Sequence, residues 1–170
     1  MPPQAEPVPD QHVHWDGKDL TVRWRPPPFD PPANDVTQAY GMCFTGDRRI
    51  VLVSWGPSHD PFWTLPGGTV EPGESVHETL VREIREEACA SVLRTEYLGC
   101  QEVIGERSHP HFQTRFWARV SLDSWDPRFE ILERRLVSRE AFLSSLSWGN
   151  VPTARELLRL ALAVEARQPE

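Results

Sequence analysis

The chain has 170 residues, 39% of them hydrophobic and 25% charged, with a formal net charge of -7 at neutral pH. That length suits one domain with appended ends, and the acidic balance argues against general binding to nucleic-acid backbones, which needs a basic surface. Three cysteines without metal-ligand spacing point to a reducing compartment, and no apolar run approaches the roughly 18 residues of a membrane span. The first ten residues, MPPQAEPVPD, lack the charged and apolar regions of a secretory signal, so a cytoplasmic location is expected.

Residues 1–34 form a composition zone of their own, with nine of the 17 prolines. Runs such as Pro26-Pro27-Pro28 favour extended polyproline segments over helix. Inside this zone Val13 and Trp15, an Asp16-Gly17 turn, then Leu20, Val22 and Trp24 read as a β-hairpin. The expectation is a Pro-rich N-terminal extension followed by a domain over 35–167. The hairpin adds a small β unit to that domain, or Trp15 and Trp24 serve as a partner or homodimer contact, because tryptophan is enriched at interfaces. Strands follow at 36–44 and 49–55 around Thr45-Gly46-Asp47-Arg48, with a short one at 62–65. Beyond a central helix, 97–104 and 111–122 read as a long hairpin and 131–137 as a last strand. Ser138 is a candidate cap for a helix to 146, and Pro152 leads into an amphipathic helix over 154–166. Elements alternate without strict βαβ repeats, which fits a mixed sheet between helical layers.

The chemistry concentrates in LPGGTVEPGESVHETLVREIREEACA, residues 65–90. Pro66, Gly67 and Gly68 open a loop that Gly73 and Glu74 close. Ser75 with Glu78 three residues on has the form of a capping box, so a helix starts there. Val76, Leu80 and Ile84, with Val81 and Ala88 beside them, form an apolar stripe at helical period. At about 100° per residue, Glu83, Glu86 and Glu87 share one flank. Two carboxylates about 6 Å apart repel by roughly 3 kcal/mol at an effective dielectric near 20. Arg82, four residues from both Glu78 and Glu86, offsets part of this. A hard divalent cation such as magnesium, which takes carboxylate oxygens and keeps several waters, would offset more.

This stretch resembles the Nudix box, G-x(5)-E-x(7)-R-E-U-x-E-E-x-G-U with U aliphatic. Gly68, Glu74, Arg82-Glu83-Ile84 and Glu86-Glu87 match it at the correct spacing; Cys89 replaces its last glycine and Ala90 its last aliphatic residue. A glycine there is suited to ending the helix at positive φ, where another residue costs roughly 1–2 kcal/mol. Either the helix continues past Cys89 or that strain is tolerated. The resemblance implies a Nudix-like α/β/α sandwich with a central mixed β-sheet. It implies metal-dependent hydrolysis, with magnesium or manganese, of a nucleoside diphosphate linked to another group, such as a nucleoside triphosphate. Carried over residue by residue, Glu83, Glu86 and Glu87 match the catalytic and metal-binding acids. The Gly67 carbonyl matches a backbone metal ligand, and Glu74 with Arg82 a structural salt bridge.

Outside the box, family members often recruit a further glutamate as base or ligand. Glu102, Glu106, Glu130 and Glu133 are the candidates, and residues 130–137 resemble the segment before a last strand, which favours Glu130 or Glu133. Trp55, Phe62, Trp63, Phe112, Trp117 and Trp148 supply ring faces for a base, with Trp63 and Phe112 the expected substrate contacts and most of the others core. Arg107, His109 and Arg115 could meet phosphate or ribose, Arg115 foremost. No match to the extra motifs of the coenzyme A or NADH branches is seen. The proline associated with ADP-ribose hydrolysis is replaced by Gly105, with Pro110 the nearest. The alternative to an enzyme is a nucleotide-binding sensor or partner module with little turnover, suggested by Cys89 and the N-terminal extension.

Overall fold

The computed structural model describes residues 7–127 and 130–169. In chain order the elements are β1 (Gln11–Trp15), β2 (Lys18–Arg25), β3 (Val36–Phe44), β4 (Ile50–Trp55), β5 (Phe62–Thr64), β6 (Gly67–Thr69), α1 (Val76–Ala88), β7 (Ala90–Ile104), β8 (His111–Leu122), β9 (Glu133–Val137), α2 (Phe142–Ser145) and α3 (Pro152–Arg167). Among the described residues nine strands form one sheet in the order β1-β2-β7-β8-β3-β4-β5, with β6 beside β3 and β9 beside β4. The β3–β8 pair is parallel and the others are antiparallel, so the sheet is mixed as expected.

Strand alternation divides the core into two layers. Ala39, Cys43, Val51, Val53, Ala118 and Val120 meet Leu80, Ile84 and Ala88 of α1. Met42, Phe44, Ile50, Leu52 and Trp117 meet Leu157, Ala161 and Val164 of α3 on the opposite face. This is the α/β/α sandwich. Helix α1 lies close to β3 because Gly41 faces it: a Cβ there would stand 2.9 Å from Ile84 Cδ1. The buried face of α3 ends in Glu165, whose carboxylate takes Trp117 Nε1–H at 2.9 Å and pairs with Arg119 at 2.8 Å.

The hairpin read from Asp16-Gly17 forms around a two-residue turn, Trp15 opposite Lys18, with both turn residues at positive φ. It is continuous with the sheet, because β2 pairs with the end of β7 from Thr21↔Ile104 to Arg25↔Cys100. Of the two tryptophans offered as contacts, Trp15 is exposed but Trp24 is buried in the core and lies over Gly99, where a Cβ would be 2.6 Å from its ring.

Three boundaries differ from the sequence reading. Strand β7 begins at Ala90 rather than residue 97, as a long strand with irregularities at 92–94 and 97–99 that break simple alternation. The glycine pair forms strand β6, since the edge of β3 offers a backbone ladder that needs no side chains. The helix expected from Ser138 is reduced to one turn. Ser138 Oγ instead accepts the Ala141 N–H in a local turn, and Leu146 is already extended.

Trp24→Ala is expected to cost about 3 kcal/mol in urea unfolding, as a buried aromatic lost from a packed core. Trp15→Ala, at an exposed position, should change stability by less than about 0.5 kcal/mol.

Candidate active site

Helix α1 starts where the capping box places it: Ser75 Oγ accepts the Glu78 N–H at 3.1 Å, and Glu78 accepts the Ser75 N–H at 2.8 Å. Glu78 is thereby committed to the cap and does not pair with Arg82. The helix stops at Ala88 because Cys89 takes the left-handed conformation, φ 47 and ψ 55, normally left to glycine. Arg134 compensates, donating from Nη1 to the carbonyls of Ala88, Cys89 and Asp123 at 2.9, 3.0 and 3.2 Å. The departure from the motif is absorbed at the helix terminus, and the acids keep their places.

Arg82 is the hub of the site. It donates from Nε and Nη2 to Glu74 at 2.7 and 3.0 Å, from Nη2 to the Thr69 carbonyl at 3.0 Å, and from Nη1 to Glu83 at 2.9 Å and Glu86 at 3.2 Å. One guanidinium thus ties the loop, strand β6 and two of the acids together. Glu74 also accepts from Thr79 Oγ1 at 2.5 Å, and these bonds, Arg82 foremost, lower its carboxyl to about 2.

Glycine at 68 lets the Glu83 carboxylate keep its place, since a Cβ there would lie 2.5 Å from Glu83 Oε1 and push it aside. Gly67 sits at φ +156, its N–H donating to Glu87 Oε2 at 3.0 Å. Burial pushes Glu87 up to about 7; the Gly67 hydrogen bond opposes the shift, and the charges of Glu83, Glu130 and Glu86 add to it. Burial also raises Glu83, with Arg82 opposing. Glu83 and Glu87 line a cavity of about 630 Å³ together with Tyr40, Gly67, Gly68 and Glu130. Among the described residues no three acid, histidine or cysteine side chains already converge as a ligand shell. Arg82 engages Glu83 and Glu86, and Gly67 engages Glu87. The donors are nevertheless hard oxygens beside a carboxylate that burial and like charges have driven toward neutrality, which is the chemistry of a site suited to a divalent cation.

Of the outer glutamates, Glu130 lines this cavity and Glu133 does not. Glu102 pairs with Arg25 at 2.9 Å, and Glu106 with His111 at 2.5 Å. Two of the proposed substrate contacts lie elsewhere. Trp63 is buried under the Arg135 guanidinium, 4.0 Å from its ring centre, and Phe112 packs with Val36, Cys100 and Phe29. Neither lines the acid cavity or the one beside it. Trp55 and Phe62, exposed and 5.0 Å apart between ring centres, do line the acid cavity.

Arg115 lines a neighbouring cavity of about 560 Å³, walled by the β1–β2 hairpin, the β7–β8 ladder and Trp148. It is only 6% exposed, stacks 4.5 Å from the Tyr40 ring centre, and burial lowers it to about 10. His109 turns away to Asp35, 3.3 Å distant. Sequence reasoning missed Tyr40, Thr64 and Thr69, which line both cavities, and Gln101 and Gln113, which face Arg115. The run Gln113, Arg115, Trp117, Arg119 at every second position of β8 was the available signal for a polar sheet face.

An acidic helix locked by one arginine to a glycine strand, on a mixed sheet between helices, defines a Nudix-type domain. The NUDIX domain family matches residues 36–160, and the chain belongs to it. The chain is 47% identical over 58 residues to the nucleoside triphosphatase NudI of Escherichia coli, 34% of this chain and 36% of that protein. The match thus spans only about a third of the length of the curated relatives. Among solved structures, a mutant form of the Bacillus subtilis pyrophosphohydrolase BsRppH superposes with a TM-score of 0.64 at 20% identity, covering 94% of this chain and 99% of that one. A C. elegans Ap4A hydrolase gives a TM-score of 0.54 at 16% identity, covering 76% and 98%. At these identities the likeness is one of fold. Nudix hydrolases generally use divalent metals.

Glu87 holds its proton to about pH 7 in the folded chain, against the ordinary value of 4.5. The folded state therefore binds the extra proton between these limits, and raising the pH through them lowers stability, by on the order of 3 kcal/mol for this group. Glu87→Gln, which cannot ionise, is expected to melt like the parent near pH 4.5 and above it at pH 8 in metal-free buffer. Equal melting at both pH values would place Glu87 in an ordinary solvated setting.

Proposed function

We propose that the chain hydrolyses a phosphoanhydride bond in a nucleoside diphosphate linked to another group, with nucleoside triphosphates the foremost substrates and magnesium, or manganese, as the ion. The carrying observation is the set of acids around Gly67 and Gly68, with Glu87 raised to about 7 inside a cavity. Glu83, Glu86 and Glu87, with the Gly67 carbonyl, would hold the ion, whose chemistry when bound is to offset phosphate charge and make a water more acidic. Glu130, in the same cavity, is the better placed of the two outer candidates to accept a proton from the attacking water. Arg82 and Glu74 keep the acids on the β6 side of the helix and take no part in bond breaking. Cys89, one of the two grounds for a turnover-free sensor, leaves every acid of the motif in place, which favours the enzyme.

The three free cysteines suit a reducing cytoplasm. No helix among the described residues is long and apolar enough to cross a membrane. The expected partner is a small nucleotide. A homodimer, if formed, would use exposed Trp15 and not Trp24.

A panel of nucleoside triphosphates and diphosphate-linked nucleotides with product analysis tests this reading. Turnover should require magnesium or manganese, vanish on chelation and return on re-addition. Glu87→Gln should lower kcat by at least about 100-fold, and Glu130→Gln should reduce it more than Glu133→Gln does. Tight nucleotide binding without turnover under any divalent ion would overturn it in favour of a sensor.

A further inference from the structure

The cavity of about 560 Å³ beside the acids is the feature that metal and acid chemistry leave unexplained. Its volume lies in the range of about 300–1,000 Å³ usual for small-molecule sites. Tyr40, Phe62, Thr64 and Thr69 line both cavities, so the two adjoin. The register sets Gly67, Tyr40 and Arg115 side by side on β6, β3 and β8. Two strand spacings of about 4.8 Å then separate Gly67 from Arg115, roughly 10 Å. Diphosphate held at the acids would leave a nucleoside within reach of this second space.

The polar groups around Arg115 have one character. Arg119, on the same face of β8, is neutralised by Glu165. Arg115, equally buried, is not paired with a carboxylate among the described residues. Its Nη2 donates to Gln101 Oε1 at 2.5 Å and Gln113 Oε1 at 3.3 Å, its Nη1 to the Thr114 carbonyl at 3.2 Å, and its Nε is buried without a partner. An arginine has no acceptor, so both glutamines must turn their oxygens to it and their NH2 groups away. The cluster as a whole therefore offers donors. Glu106 is the carboxylate on the lining, and His111 engages it. The remaining walls include Val13, Val22, Val103 and Trp148, which suit a flat ring.

We propose that this cavity binds the base of the nucleotide and prefers bases with a carbonyl on purine carbon 6 or pyrimidine carbon 4, as in guanine, hypoxanthine and uracil, over adenine and cytosine, which carry an amino group at that place, with Arg115 as the specificity-determining residue. The proposal rests on the nucleotide reading above. An amino group aimed at a buried donor cluster leaves polar hydrogens unpaired, and such mismatches discriminate more strongly than lost apolar contact.

Calorimetric titration of the full chain with GMP, UMP, AMP and CMP tests the proposal without turnover, alongside kcat/KM for the four triphosphates with magnesium. GMP and UMP should bind at least about tenfold tighter than AMP and CMP, the discrimination expected of one well-placed arginine. Arg115→Gln should reduce that ratio to below about twofold. Because a buried position is changed, Val13→Arg on the half-exposed hairpin serves as a second variant: it should raise KM for GTP and UTP about tenfold, with kcat within about twofold. Hydrolysis without base preference, a preference unchanged in Arg115→Gln, or a KM unmoved by Val13→Arg would overturn this inference and leave the hydrolase standing. Base preference without hydrolysis would support it and overturn the hydrolase.

Discussion

The site depends on a single arginine placed where negative charge would otherwise push a helix off its sheet. Glu74, Glu83 and Glu86 all turn to Arg82, and the same guanidinium reaches the Thr69 carbonyl on β6. Helix α1 is held from below by Leu80, Ile84 and Ala88, but its acidic flank is held by Arg82. The brace does not extend to Glu87, whose one hydrogen-bond partner among the described residues is the Gly67 N–H. That leaves one buried carboxylate, beside Glu83 and Glu130, without a cationic partner among the described residues. Groups with shifted proton affinity cluster at functional sites for this reason.

The sheet separates what must not change from what can. On the α1 side the small residues Ala39, Gly41 and Cys43 let the helix come close, and Gly67 and Gly68 let the acids come closer still. On the opposite side, β8 runs from a packed region around Trp117 and Arg119, closed by α3, to an open region around Gln113 and Arg115. The helix covers one half of that face and leaves the other lining a cavity. The neutralised arginine and the unneutralised one are four residues apart on a single strand.

Much of this was readable in the chain, for physical reasons that differ by element. The capping box, the apolar stripe of α1, the Asp-Gly hairpin and the strands at 36–44 and 49–55 all carry local signals, and all formed. So did the motif bringing Glu74 and Arg82 together, because its spacing encodes a helix and a loop. Strand β6 was hidden, since its order comes from a backbone ladder with β3 and glycines carry no pattern. Trp63 and Phe112 looked like ligand contacts because an aromatic ring says nothing about which layer it enters; the tertiary packing put both inside. Sequence favoured Glu130 and Glu133 over Glu102 and Glu106 but could not choose between the two, as it is the return of the chain at residue 130 that brings one carboxylate back to the acids.

The hairpin joins the rest of the sheet through the β2–β7 ladder and the buried ring of Trp24, with β7 and β8 between it and β3, on which the acidic helix packs. On the reading proposed above, substitutions at its cavity-facing Val13 and Val22, with Trp24 kept in the core, would retune which bases are admitted and leave the acids untouched. In a lineage carrying this arrangement, selectivity and catalytic power are free to evolve on separate clocks.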